Sequence, residues 1–298
     1  MKRAGAAGIC VAVAVATPLL RRRARIPAPV TLLACALGPA GLSRLPRSRA
    51  RDVAVFTAQM WAFTMAHELP YDDPVALRRR LAVRYPIAVD RALGAGTLPT
   101  VRLQRALAGT RFAPHVDRAL SWAHWLWFLE PYLALAWVLA RDRERFGIAA
   151  RQLATTFDLG CVLYFAVPTA PPWWASEQGM SGGEVRRIMA ALGEETWGPA
   201  WPALYRAAGE GNPWAAMPSL HFATALVAAM LLAETGGVEG ALGWAYALTL
   251  GFALLYLGEH YLTDLAAGAL LAALVRRASR WGEPRLAPLL CRLETGRG

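Results

Sequence analysis

Charge is the scarcest property of this sequence. Of its 298 residues 18% are charged and 56% hydrophobic, whereas soluble domains usually carry roughly 25% charged residues. That shortage excludes a disordered chain and speaks against an ordinary soluble enzyme. Lysine is nearly missing. Lys2 is the only one, so the excess of 32 basic over 21 acidic residues is an excess of arginine. Beside so much Ala, Gly and Pro, this bias reads as the default of a GC-rich genome, not as a nucleic-acid signal. The four cysteines (Cys10, Cys35, Cys161, Cys291) have no CxxC or other ligand spacing. Neither a disulfide framework nor a zinc site is implied.

What is present is a series of apolar blocks near the ~20 residues a helix needs to cross a bilayer. Residues 4–20 read as a signal peptide or an anchor helix, and the arginines directly after them favour an anchor. Residues 29–43 are short for a crossing, and 52–66 span. Five further segments follow at 116–140, 147–167, 217–234, 240–257 and 261–276. The expectation is an all-α polytopic helix bundle with at least six transmembrane helices. The chain divides into membrane segments over 1–66, an Arg-rich interfacial stretch over 67–115, a catalytic membrane domain over 116–276 and a basic cytoplasmic tail over 277–298. Many of the twelve Trp lie near segment ends, as in aromatic belts.

Arginines in the 141–146 loop and after residue 276 put both places on the cytoplasmic side. Three crossings separate them after segment 147–167, so loop 168–216 and the turn at 258–261 share the other face. The Arg-rich 70–115 stretch falls on that face too, against the charge rule, which long loops obey less well. Within loop 168–216, the Ser181-Gly182-Gly183-Glu184 capping-box pattern precedes Val185, Ile188, Met189 and Leu192 at helical spacing. This predicts an amphipathic helix on the membrane surface.

Two motifs meet on that face. Met217-Pro218-Ser219-Leu220-His221 opens segment 217–234. Pro218 suits the first helical position, and the free N–H groups of the next turn form an anion site. Ser219 adds a hydroxyl and His221 an acid or base. His260 and Asp264 lie four apart in Gly258-Glu259-His260-Tyr261-Leu262-Thr263-Asp264, on one face of a helix. A carboxylate on one imidazole nitrogen fixes the tautomer and activates the other nitrogen. An HxxxD pair alone is more often structural than catalytic. An ionisable Asp264 inside an apolar segment nevertheless calls for a partner.

Together, Pro218-Ser219-Leu220-His221 and His260-Tyr261-Leu262-Thr263-Asp264 resemble the type 2 phosphatidic acid phosphatase superfamily, and more narrowly its inositol phosphorylceramide synthase-like branch. The resemblance covers roughly residues 116–276. It implies a metal-independent lipid phosphatase or phosphotransferase at a multi-pass cell membrane, with the site on the non-cytoplasmic face and no cofactor. His260 would take the phosphoryl group, Asp264 would orient it, and His221 would protonate the leaving oxygen and then activate the acceptor. Ser219 would hold phosphate oxygens. The substrate would be a phospholipid or lipid phosphate, and no nucleic-acid partner is expected.

The pattern is not complete. Leu220 replaces the Gly of the usual PSGH, Ala253-Leu254 stand where Ser-Arg is common, and KxxxxxxRP is absent. The synthase-like branch also lacks the Ser-Arg pair. Phosphate still needs cations, and Arg186, Arg187 and Arg206 are the candidates, or else an Arg-rich surface against anionic lipid. Asp158 and His124 are open as polar neighbours of the site, whereas Glu130 fits a helix-packing hydrogen bond. His67 and His115 read as interfacial, and the Trp173-Trp174 pair as an anchor for its loop. A transporter using His and Asp as a proton relay, or a catalytically silent relative, is the rival reading.

Overall fold

The computed structural model describes residues 2–204 and 212–295. They are all-α, with no strand beyond two isolated parallel bridges that join Ala82 to Thr169 and Thr169 to Ala215. An N-terminal layer holds α1 (Lys2–Ala24), α2 (Ala28–Ser43) and α3 (Arg49–Glu68). Three short helices follow, α4 (Pro74–Arg79), α5 (Arg84–Leu93) and α6 (Pro99–Leu107). The main bundle has α7 (Ala113–Leu126), α8 (Glu130–Arg141) and α9 (Arg143–Ala166). After the loop helices α10 (Pro172–Glu177) and α11 (Ile188–Trp197) come α12 (Leu220–Ala233), α13 (Gly237–Tyr256) and α14 (Leu262–Thr295).

Caps set several of these boundaries. Ser48 Oγ accepts from Arg51 N at 3.1 Å, and Asp142 Oδ1 accepts from Glu144 N at 3.0 Å and Arg145 N at 3.2 Å. Each satisfies a donor left open at a helix start. Helix α12 sits at the centre, packed against α8, α9, α13 and α14. It contributes Leu220, Val227 and Leu231 to a core with Leu153, Phe157, Leu250 and Leu254. The α12–α13 hairpin closes tightly because glycines face it. A Cβ on Gly240 would lie 2.7 Å from Ala233 Cα, and one on Gly243 2.9 Å from Ala229 Cα.

Among the described residues, two helices are long and apolar enough to cross a membrane, over Arg3–Ala24 and Gly237–Tyr256. Helices α2 and α12 are apolar but have 16 and 14 residues. The 116–140 block is not one rod. It breaks at Trp127–Leu129 into α7 and α8, with Glu130 and then Pro131 opening the second helix. The last helix runs beyond residue 276 to Thr295, so the basic tail continues it. Ser181 caps no helix. Its hydroxyl bonds Gly183 O, and α11 starts only at Ile188. Val185, Ile188, Met189 and Leu192 are all buried, so this stretch packs into the protein instead of lying on a lipid surface. The tryptophans divide likewise, with Trp122 and Trp137 exposed and Trp173 and Trp214 buried.

The 70–115 stretch is the larger surprise. Asp90 of α5 is fully buried and caps α14, with Oδ2 accepting from Leu262 N at 2.8 Å and Oδ1 from Thr263 N at 2.9 Å and from the Thr263 hydroxyl. Gln104 of α6 donates to Tyr256 O at 2.8 Å and Arg186 O at 3.0 Å, and accepts from Arg186 N at 2.8 Å. The stretch is thus bolted to the start of α14, the end of α13 and the loop before α11. At the same end, Arg21 of α1 pairs with Glu68 at 3.2 Å and Asp72 at 2.9 Å, and Arg22 pairs with Asp72 at 2.8 Å. Burial raises the Asp72 carboxyl, but its bonds to Arg21 and Arg22 outweigh this and leave it below its ordinary value.

Candidate active site

The start of α12 meets the start of α14. Ser219, fully buried, is the N-cap of α12, its Oγ accepting from Phe222 N at 3.3 Å. Pro218 therefore stands one residue before the cap, not at the first helical position. Its carbonyl accepts from Tyr164 Oη at 2.8 Å. Ser219 N donates to Asp264 O at 3.0 Å, and a Cβ on Gly268 would come within 2.6 Å of Ser219 O. The two helix starts are in backbone contact because α14 presents a glycine there.

This contact aligns three side chains. His260 Nδ1 lies 3.3 Å from Asp264 Oδ2, and His260 Nε2 lies 3.2 Å from His221 Nδ1. Asp264 Oδ2 also accepts from Tyr261 N at 2.9 Å. Asp264 is fully buried and His260 nearly so. Asp264, His260 and His221 form one continuous line. If Nδ1–H of His260 donates to the carboxylate, its Nε2 carries a lone pair and accepts from Nδ1–H of His221.

His221 rests on a platform that the motifs do not announce. The Trp127 ring lies 4.1 Å from the His221 ring, and Trp127 Nε1 donates to Thr224 Oγ1 at 2.9 Å, one turn further along α12. His124 lies 4.8 Å from His221, with Nδ1 against Met189 Sδ at 2.6 Å. The α7–α8 break is what brings Trp127 there. His67 stacks edge-on to Tyr164 at 5.6 Å, so it belongs to the wall behind the site and not to an interface. Tyr85 Oη sits 3.1 Å from Thr169 Oγ1 and 2.9 Å from Met217 Sδ. Its pKa is raised, by burial first and then by the Asp264 charge, despite the bond to Thr169.

The departures from the usual motif have structural counterparts. Leu220 fits because Gly160 faces it. A Cβ at Gly160 would lie 2.3 Å from Leu220 Cδ2. Ala253 and Leu254 are fully buried among apolar neighbours, so no cation stands there. Among the candidate arginines, Arg187 lies over the Trp173 ring at 3.7 Å. Burial pushes the Glu259 carboxyl above its ordinary value, opposed by the nearby Arg187, by His260 and by a hydrogen bond from Trp173. Arg187 thus stands at the residue preceding His260. Arg186 is exposed and 3.7 Å from Asp117. Arg206 lies outside the described residues. Asp158 is bonded by Gln59 at 2.9 and 3.1 Å, joining α3 to α9. The Glu130 carboxyl oxygens are buried with no hydrogen-bond partner among the described residues, which removes the packing bond expected for it.

The sequence profile of the PAP2 superfamily matches residues 87–277, nearly two thirds of the chain, and includes both motifs. The chain belongs to the PAP2 superfamily, a family of membrane-associated phosphatases and phosphotransferases acting on phosphorylated lipid-like substrates. The match begins at residue 87 and so takes in Asp90 and Gln104. Neither the curated proteins nor the solved structures give a match to this chain.

Proposed function

We propose that this protein is a polytopic membrane phosphotransferase or phosphatase that works through a covalent phosphohistidine on His260, of the inositol phosphorylceramide synthase-like kind. The observation that carries the proposal is the line from Asp264 Oδ2 through both nitrogens of His260 to His221 Nδ1, with spacings of 3.3 and 3.2 Å. Asp264 holds the proton on His260 Nδ1, and Nε2 attacks phosphorus. The P–N bond forms as the P–O bond to the leaving alcohol breaks, and His221 gives that oxygen its proton. His221 then takes a proton from the acceptor hydroxyl, which attacks phosphorus and breaks the P–N bond. Water as acceptor makes a phosphatase, and an inositol or lipid hydroxyl a transferase.

Trp127 is a positioning residue in this scheme, holding the His221 ring beside His260, from where it can reach the leaving oxygen. Ser219 Oγ accepts from the backbone, so its proton remains to be given to a phosphate oxygen. Arg187, seated on Trp173 next to Glu259, is the nearer to the motif of the two described candidate cations, and Arg186 extends the same basic edge. The synthase-like reading is supported by the apolar filling at Ala253 and Leu254, where the phosphatase pattern carries Ser-Arg.

The membrane arrangement follows the helix directions. On this reading α3, the broken α7–α8 pair, α9, α12, α13 and α14 run in turn between the histidine end and the end that carries Arg145 and Arg276, and with α1 beside them the crossings number at least six. Exposed Leu242 and Leu248 on α13, Leu270 and Leu274 on α14, and Val162 on α9 form an outward apolar band suited to lipid. The arginine end is then cytoplasmic and the histidine end is not.

The test is head-group exchange and phosphate release by the purified protein in lipid micelles. Lipid phosphates and phospholipids are offered with and without inositol, beside His260→Ala. A new phospholipid that appears only with the alcohol acceptor and only with His260 supports the transferase. His260-dependent free phosphate makes the protein a phosphatase. Turnover unchanged in His260→Ala overturns the mechanism.

A further inference from the structure

At the opposite end of the bundle a second polar cluster has no part in the reaction. Glu234 follows α12, thirteen residues beyond His221, or about 20 Å along the helix. Three guanidinium groups share its carboxylate. Arg145 of α9 reaches Oε2 at 2.5 Å and Glu234 O at 2.9 Å, Arg276 of α14 bonds Oε1, and Arg280 stands 3.5 Å from Oε1. Arg276 is nine-tenths buried, and Gln152 Oε1 accepts from its Nη1 at 2.5 Å. Gln152 also donates to Ser279 Oγ at 2.7 Å. These six residues line a cavity of about 160 Å³. Arg276 Nε is buried with no hydrogen-bond partner among the described residues.

One carboxylate cannot balance three guanidinium groups. Among the described residues the cavity wall carries two more guanidinium groups than carboxylates, and Arg276 Nε is buried and unused. Buried polar groups are normally paired, and guanidinium forks match phosphate oxygens in pairs. We propose that this cavity is an anion site for a phosphate group, separate from the histidine site. Arg145, Arg276 and Arg280 are its donors and Glu234 is the charge that tempers its affinity. The group can arrive as the head of an anionic phospholipid or as free phosphate. The cavity lies where the start of α9 and the end of α12 meet the middle of α14, open to either.

Hydrogen exchange of the full-length protein in neutral micelles tests this, read at the peptides that carry Arg145 and Arg276. His260→Ala is used as the background to prevent turnover. The titrants are inorganic phosphate at constant ionic strength, dihexanoyl phosphatidic acid, and dihexanoyl phosphatidylcholine as the zwitterionic control. Saturable protection of those peptides by phosphate and phosphatidic acid is expected. Arg145→Gln with Arg280→Gln should weaken it by about tenfold per guanidinium lost, and both arginines are exposed enough for the pair of changes to fold. Glu234→Gln should lower the half-saturating concentration, whereas a purely structural ion cluster would simply loosen. Protection by phosphatidic acid alone identifies a lipid head group, and protection by both titrants identifies the phosphate group itself. No protection by either, equal protection by phosphatidylcholine, or undiminished protection in the arginine variant overturns the proposal.

Discussion

Asp90→Ala tests whether the 70–115 stretch builds the site or merely covers it. The carboxylate holds three donors at the start of α14, namely Leu262 N at 2.8 Å, Thr263 N at 2.9 Å and the Thr263 hydroxyl. Hydrogen bonds to a charged group contribute about 1.5–3 kcal/mol each, while loss of an N-cap typically costs about 1 kcal/mol. The hydroxyl can turn to another acceptor, whereas the two backbone N–H groups cannot. The loss should therefore be about 3–5 kcal/mol. Asp90→Asn keeps one acceptor oxygen and should lose about half of that. Reversible unfolding in mixed micelles reads the stability, and a double-mutant cycle with Thr263→Val should give a coupling of about 1 kcal/mol. Because Asp264 lies two residues past Leu262, turnover of the folded fraction should fall at least tenfold, an order-of-magnitude figure for a displaced catalytic group. Asp90→Ala stability within about 0.5 kcal/mol of the parent, with full turnover, would refute the reasoning.

Gly268→Ala puts a Cβ 2.6 Å from Ser219 O, so α14 must back away from α12. A cost of about 1–3 kcal/mol is expected, together with loss of turnover. Unaltered turnover would show that the backbone contact does not set the His221–His260 spacing. Trp127→Leu removes the ring 4.1 Å from His221 and should lower kcat more than it raises KM. A change confined to KM would assign Trp127 to substrate binding instead. Asp72 is held below its ordinary value by Arg21 and Arg22. Its contribution to stability is full above its unfolded pKa of about 4 and is lost as pH falls through the lower folded value. Asp72→Asn should therefore flatten the acid limb of the stability profile, and an unchanged limb would count against the clasp.

The site's central line was legible in the sequence because its geometry is local. His260 and Asp264 are only four residues apart, although the histidine stands two residues before α14 and not on a face of it as expected, and His221 lies at the first turn of its own helix. The helix content was legible for the same reason, since apolar blocks fold as rods. What could not be read was set by distant pairing. Asp90 finds Leu262 and Thr263 across more than 170 residues, and Gln104 finds Tyr256 across 152. A lone Asp or Gln in an Arg-rich stretch carries no sign of its partner. The only hint was that the start of α14 follows a Gly-Glu-His turn with no Ser, Thr, Asp or Asn at its N-cap position, so its cap had to come from elsewhere. Trp127 escaped because the 116–140 block read as one helix. Only the break at Trp127–Leu129, just before the Glu130-Pro131 start of α8, turns that indole toward His221.

The missing arginine of the usual motif bears on where phosphate charge is met. Leu254 is buried in the core, and a guanidinium in its place would need a carboxylate or several acceptors there to offset desolvation. Ala253 and Leu254 have apolar neighbours, so the position cannot be rescued by one substitution, and Leu254→Arg should destabilise without restoring a clamp. Leu220 makes the same point from the other helix, since its side chain occupies the notch left by Gly160. Both changes are built into the packing around the histidines. In the proposed reaction the cation must then come from outside the bundle core. Arg187 meets that requirement, because its guanidinium lies over the Trp173 ring and is felt by the carboxyl of Glu259, the residue before His260, without being completely buried. A clamp carried by the loop can move with the substrate, unlike one fixed in a helix. The loop that carries Arg187 also packs against Gln104 and Gly258, so in the proposed reaction its clamp would be coupled to the 70–115 stretch through the same few residues.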